Sequence, residues 1–330
     1  MSEQTIGDTG EFDLIARITE VLPRTAEVLI GPGDDTALVA THSGSVLATI
    51  DVLVEGVHFR RDWSSATDVG RKAAAASLAD IAAMGGVATA LLVGFAAPGD
   101  LPVTWALECT AGLTAEAARV GACVVGGDVV ASSVITLAVT ALGDLQGRSP
   151  VLRSGAQAGH VLAVAGRLGW SAAGLAVLSG GSRSPAELID AHRVPDPPYS
   201  AGPMAAHAGA TAMIDVSDGL IADARHLAEA SGVDVVIDTD TWNIPGSMAA
   251  AASALGVDPR EWMLTGGEDH ALLATFPAGV VVPVGFRIIG SVMASDEPGV
   301  IVDGVRRHGP GGHVHFTVER YSRWKDRSDL

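Results

Sequence analysis

Acidic residues stand at the ends of predicted elements in six places. These are Asp34-Asp35, Asp51, Asp80, Asp128, Asp215 with Asp218, and Glu268-Asp269 directly after Gly266-Gly267. An acid beside glycines at the end of an apolar strand lies in a tight loop, and loops at strand ends are where α/β folds bind ligands. Hard cations such as Mg2+ take oxygen ligands, keep several waters, and are held by one or two carboxylates together with substrate phosphates. Six such places suit several metal ions and a nucleotide. That chemistry needs no phosphate-binding lysine, because the metals neutralise the phosphates.

Plainer roles are open for each residue taken alone. Gly-Asp and Asp-Gly are ordinary turn chemistry. Asp218 stands where it could cap the following helix, and His58 alone reads as a satisfied structural histidine. Asp238 and Asp240 look like a solvated turn, and His313 with His315 like a surface pair. Asp80 is different. It lies between Leu78 and Ile81 in an alanine-rich helix, where a charge is poorly placed without a partner.

The elements that must position these groups alternate. Apolar spacing predicts a helix over 12–22, short strands at 28–30 and 36–40, a strand over 46–54 and a helix over 68–84 stopped by Gly85-Gly86. A strand over 88–96, a helix over 103–120, a strand over 123–125, a turn at Gly126-Gly127-Asp128 and a strand over 134–142 follow. Beyond the polar segment 144–158, strands are expected at 161–165, ending at 213–214, and at 233–237, 271–276 and 286–292. Helices are expected at 172–178, within 180–200 and at 218–230. The fold class is α/β (α+β). The polar segment divides the chain into domains 1–148 and 149–330.

Composition narrows the classes. The chain has 330 residues, 48% hydrophobic and 18% charged, with 38 acids against 21 bases and a formal net charge of −17. Those values exclude a disordered chain, and the acidic balance argues against a nucleic-acid partner. Two cysteines, Cys109 and Cys123, suit a reducing compartment and read as small core residues. The acidic N-terminus is not a signal peptide. Residues 81–99 carry no charge, but Gly85-Gly86 and Pro98 break the run into a helix end and a buried strand, so no membrane span and a cytoplasmic protein are expected. Lysine is confined to Lys72 and Lys325, against 19 arginines, and no GxxxxGK[ST] motif exists.

Taken together the motifs resemble the thiamine-monophosphate kinase family. They are Gly10-Glu-Phe-Asp-Leu-Ile15, Gly33-Asp-Asp35, Asp51-Val-Leu-Val-Glu-Gly-Val-His-Phe59, Ser77-Leu-Ala-Asp-Ile-Ala-Ala-Met-Gly85 and Gly126-Gly-Asp128. Arg153-Ser-Gly155, Gly166-Arg-Leu-Gly-Trp-Ser-Ala-Ala-Gly-Leu175, Asp215-Val-Ser-Asp-Gly-Leu220 and Gly266-Gly-Glu-Asp269 follow in the family's order. The resemblance implies ATP-dependent phosphorylation of thiamine monophosphate to thiamine diphosphate, the last step of thiamine diphosphate biosynthesis. Transfer would be direct and in line, assisted by several Mg2+ ions. It implies a PurM-like two-domain fold, with an N-terminal sheet that pairs into a barrel across a homodimer.

Residue by residue, the resemblance implies metal positions at Asp35, Thr49, Ile50, Asp51, Asp80, Asp128, Asp215 and Asp218. It implies ATP contacts at Gly127, Asp128, Arg153 and Ser217. Substrate contacts fall on His58, Glu268 and a C-terminal aromatic, Trp324, with Tyr321 as the alternative. The sequence departs from the family where Ile50 replaces a hydroxyl, where Val129-Val130 follow Gly126-Gly-Asp128, and where His270 replaces a tyrosine. Two other readings compete. One is another ATP-dependent enzyme of the same superfold, of synthetase or hydrogenase-maturation type. The other is a non-catalytic module that binds divalent cations.

Overall fold

Among the described residues the alternation of apolar runs and glycine stops builds two larger sheets joined by one long helix, and a third, small sheet in which β1 (Val28–Ile30) pairs with β2 (Leu38–Val39). The computed structural model describes residues 4–9, 11–23, 25–30, 38–41, 43–240 and 242–313. Asp34, Asp35, His315, Tyr321 and Trp324 lie outside the described residues.

The first part runs α1 (Ile6–Thr9), α2 (Glu11–Glu20), β1 (Val28–Ile30), β2 (Leu38–Val39), β3 (Leu47–Val54), α3 (Ala66–Ala83), β4 (Val87–Ala97), α4 (Val103–Ala118), β5 (Cys123–Ala131) and β6 (Thr136–Asp144). Its sheet has the order β3-β6-β4-β5, with β4 and β5 parallel and the other pairs antiparallel. A Ser65–Asp68 capping box starts α3. The helix then buries Val69, Leu78 and Ile81 in a core shared with β3, β4 and β6.

The second part runs β7 (Val161–Ala165), α5 (Trp170–Ser179), α6 (Ala186–Arg193), α7 (Ala201–His207), β8 (Ala212–Val216), α8 (Leu220–Ser231), β9 (Val233–Ile237), α9 (Gly246–Leu255), α10 (Pro259–Thr265), β10 (Ala271–Phe276), β11 (Phe286–Ala294), β12 (Gly299–Val302) and β13 (Val305–Arg307). Its sheet has the order β13-β12-β9-β11-β7-β10-β8. One face packs on α5, α8, α9 and α10 in the larger core. The other meets the small residues Ala201 and Ala205 of α7 and Ala82 and Ala83 at the end of α3. The helix α3 therefore touches both sheets, and residues near its C-terminal half lie at their junction.

One expectation is corrected. Gly126-Gly127-Asp128 is not a turn, because β5 runs through it and pairs with β4, Gly127 opposite Val93 and Asp128 opposite Gly94. A side chain at Gly127 would sit 2.1 Å from the Val93 carbonyl oxygen, so this glycine serves close strand approach, not chain reversal. The uncharged run at 81–99 is the end of α3, a turn, and β4. Among the described residues no helix is long and apolar enough to cross a membrane.

Candidate active site

Strand parity sorts the N-terminal residues onto two faces. Thr49 and Asp51 alternate with the exposed Ile50 (61% accessible) and Val52, so they point inward to α3. On α3, Ser77 and Asp80 are three residues apart and share a face. The Thr49 hydroxyl donates to Asp80 Oδ2 at 2.6 Å, and the Ser77 hydroxyl lies 2.8 Å from both Asp51 Oδ2 and the Val139 carbonyl. The charge inside the alanine-rich helix thus has its partner in the neighbouring strand.

The second sheet brings Asp215, at the end of the edge strand β8. It is buried, and its Oδ2 lies 3.0 Å from His270 Nδ1. Burial pushes the Asp80 carboxyl up to about 7, and the charges of Asp215 and Asp51 push the same way. Burial raises Asp51 too, against the Ser77 hydrogen bond. Burial would lower His270, but its hydrogen bond to Asp215 and the charges of Asp215, Asp51 and Asp80 hold it above the usual imidazole range. Acids from β3, α3 and β8 therefore repel one another around one histidine, a surplus of negative charge that a bound cation would relieve. The donors are hydroxyl and carboxylate oxygens, which suit Mg2+. Among the described residues no three His, Cys, Asp or Glu side chains are grouped to hold a metal by themselves. Mg2+ asks for fewer, since it keeps waters and takes phosphate oxygens.

Asp218 does not cap α8. The cap position is Gly219, with no side-chain cap bond, and Asp223 accepts the Asp218 and Gly219 N–H groups at 3.1 and 3.0 Å. Burial, then Asp215, pushes the Asp223 carboxyl up to about 7. Gly219 has φ +136°, outside the reach of most side chains. It sits against Thr265, where a Cβ would come within 2.6 Å of the carbonyl oxygen. In the facing loop a Cβ at Gly267 would lie 2.3 Å from the Ser217 carbonyl oxygen, and Glu268 N–H donates to that same oxygen at 2.8 Å. The Ser217-Asp218 and Gly267-Glu268 loops therefore pack backbone on backbone.

Asp269 and Glu268 point to different tasks. Asp269 accepts the Trp170 and Ser171 N–H groups at 3.0 and 2.9 Å and so caps the N-terminus of α5. Burial raises it to about 6, and those N–H groups limit the rise. Glu268 has φ +65°, and its Oε2 lies 3.1 Å from Lys72 Nζ, 3.4 Å from Ser171 Oγ and 3.7 Å from His192 Nδ1. Burial alone would raise Glu268, but Lys72 and His192 hold it below the usual carboxylate range. His58 closes a turn after β3. Its Nδ1 accepts the Val54 N–H at 3.0 Å, so a neutral ring carries its proton on Nε2, and its carbonyl accepts from Lys72 at 3.1 Å.

The chain does not gather every expected residue. Asp128 lies on the edge strand opposite β3, with β6 and β4 between, about 14 Å away at normal strand spacing. The pairing row Val52–Ala138–Gly94–Asp128 puts its side chain on the outward face, away from Asp51. Gly127 is exposed beside it. Arg153 lies in an exposed turn, Arg153–Gly155, beside β8, where the Leu152 carbonyl accepts the Met213 N–H at 3.1 Å and Gly155 packs on the Thr211 carbonyl. Residues that sequence reasoning passed over are Ser77, Asp223, Ser171, His192 and Lys72. The rarity of lysine was a usable signal for the last of these.

Two family models match: AIR synthase related protein, N-terminal domain, over residues 33–145, and AIR synthase related protein, C-terminal domain, over residues 157–282. A thiamine-monophosphate kinase of Mycobacterium tuberculosis is 51% identical over 314 residues, covering 94% of this chain and 93% of that protein. A solved structure of AaThiL complexed with AMPPCP and TMP is 34% identical with a TM-score of 0.78, covering 96% of this chain and all of that one. The hydrogenase maturation protein HypE has a TM-score of 0.73 at 16% identity, covering 92% of this chain and 98% of that one, a likeness of fold alone.

Proposed function

This chain belongs to the thiamine-monophosphate kinase family, and from that premise we propose how its cleft performs the reaction. The enzyme phosphorylates thiamine monophosphate with ATP as co-substrate. The observation that carries the reading is the meeting of Asp51, Asp80 and Asp215 from three elements at the junction of the two sheets.

Asp51, Asp80, Asp215 and Asp218, with the Thr49 hydroxyl and the Ile50 carbonyl, would hold Mg2+, joined by Asp35; Asp128, on the outward face of the sheet, would hold a metal apart from this cluster. When bound, Mg2+ supplies positive charge between two phosphate-bearing substrates. The chain's own residues align. Gly127, Arg153 and Ser217 take the nucleotide; an arginine fork suits a pair of phosphate oxygens. His58 and Glu268 take thiamine monophosphate, with Trp324 closing over it. The described chain reaches this edge, because His313 N–H donates to the Asp218 carbonyl at 2.9 Å. No side chain here is cast as a covalent nucleophile, so the γ-phosphoryl passes in line to the acceptor phosphate and the site's task is positioning. Residues 1–148 carry the first metal set and residues 149–330 complete the site.

A homodimer is part of the reading. Ile50, Val52, Leu92 and Val130 expose apolar surface on one face of the N-terminal sheet, the kind of patch that marks an interface. Asp128 and Asp51 lie on opposite faces of that sheet. Replacing Val52 by Glu should give a monomer by light scattering; an unchanged mass would refute this interface. The reaction is tested by incubating the protein with ATP, Mg2+ and thiamine monophosphate and separating the products. Thiamine diphosphate and ADP in equal amounts are expected, and ADP without thiamine diphosphate would overturn the substrate assignment.

A further inference from the structure

Lys72 stands in the middle of α3, only 4% accessible. Its ammonium lies 3.1 Å from the His58 carbonyl, 3.2 Å from the His192 carbonyl and 3.1 Å from Glu268 Oε2. An ammonium has three N–H donors, and these three acceptors match them. The acceptors come from the turn after β3, the end of α6 and the loop before β10. One belongs to the N-terminal part of the chain and two to the C-terminal part. Glu268 carries positive φ, so a conformation rare for a glutamate is held where its carboxylate meets Lys72.

We propose that Lys72 is a positioning residue that sets the spacing between His58 and Glu268, and so shapes the thiamine-phosphate half of the site. This rests on the reading of His58 and Glu268 as substrate contacts. The residue type supports the role. The chain uses 19 arginines and two lysines, yet the buried position is a lysine. A point charge with three rotatable donors can serve acceptors converging from three directions. A planar guanidinium fork of five donors cannot do so in the same space.

The test compares Lys72→Met and Lys72→Arg with the wild type, measuring KM for thiamine monophosphate at saturating ATP and KM for ATP at saturating thiamine monophosphate. Both variants should raise KM for thiamine monophosphate about tenfold, the loss of one charge-assisted contact. KM for ATP should stay within about twofold. A lysine that only holds the fold would lower melting temperature and active fraction and leave both KM values unchanged. Lys72→Met/Glu268→Gln removes the half-buried carboxylate that Lys72→Met leaves without its ammonium. It should recover melting temperature, and because Glu268→Gln alone already raises KM for thiamine monophosphate, the test is a further rise over that single variant. The double variant stands in if Lys72→Met is insoluble, and no further rise overturns the proposal. Unchanged KM for thiamine monophosphate, an equal rise in both KM values, or full function in Lys72→Arg would each overturn the proposal. Failure of the underlying reading looks different: the wild type itself would make no thiamine diphosphate, or Glu268→Gln alone would leave KM for thiamine monophosphate normal.

Discussion

Glu116 of α4 is completely buried, and the partners of its carboxylate are none of the proposed metal, nucleotide or substrate residues. It accepts from Arg71 at 2.9 Å, from Arg119 at 2.6 Å and from the Tyr199 hydroxyl at 2.8 Å. Arg119 also pairs with Asp196 at 2.6 Å, so α4 is tied to the segment before α7. Replacing Glu116 by Gln keeps the shape and removes the charge. Breaking a buried pair from one side costs about 3–5 kcal/mol. Both arginines are more than a third exposed and can turn to water, so the lower end, about 3 kcal/mol, applies. For a chain of 330 residues the unfolding entropy is about 0.7 kcal/mol/K, and the melting temperature should fall by about 4–5 °C. Differential scanning calorimetry reads this directly. The turnover number at 25 °C should be unchanged, since Glu116 touches no proposed ligand. A fall of less than 1 °C would refute the buried ion-pair account, and a normal melting temperature with lost activity would place Glu116 in the chemistry instead.

Asp51→Asn or Asp218→Asn should cut turnover roughly 10²-fold while circular dichroism stays native, the usual loss for one electrostatic stabiliser; near-normal rates at low Mg2+ would make these acids structural. His192, pushed down to about 4 by burial and then by Lys72, stays neutral in the fold while the unfolded chain takes up a proton below about 6.5. Its stabilising contribution is complete above pH 6.5 and is lost toward pH 4, so His192→Gln should flatten the acid limb of a urea-unfolding profile by at most about 3 kcal/mol; an unchanged limb refutes it. The Cys109 thiol is buried and pushed up to about 12, so iodoacetamide at pH 8 should leave it unlabelled in the native protein and label it in urea. Rapid native labelling, read by mass spectrometry of the peptide, would contradict the packing of α4 on α3.

Local patterns predicted most strands because an uninterrupted apolar run between glycine stops has few other uses. The strand Val161–Ala165 is an example, and the alanine-rich run expected as a helix over 68–84 is the helix Ala66–Ala83. Gly126-Gly127 misled because a glycine pair marks a turn and a close strand approach equally well, and only the partner strand decides. The helices Ala201–His207, Gly246–Leu255 and Pro259–Thr265 were not foreseen. For the last, Asp258 before Pro259 was a readable start signal. Asp51, Asp80, Asp215 and Asp218 were legible as motif acids, but the repulsion among the first three exists only once β3, α3 and β8 meet. Lys72 joins partners up to 196 residues distant, and no window along the chain contains that relation.

The backbone contact between the Ser217-Asp218 and Gly267-Glu268 loops restricts how this enzyme can diverge. No side chain lies between the two loops at Gly219 or Gly267, so no exchange of larger for smaller residues can widen or narrow the distance between them by small steps. A lineage that changes its acceptor substrate must vary residues at the rim and leave this seam alone. Random libraries should therefore return almost no tolerated change at Gly219 or Gly267.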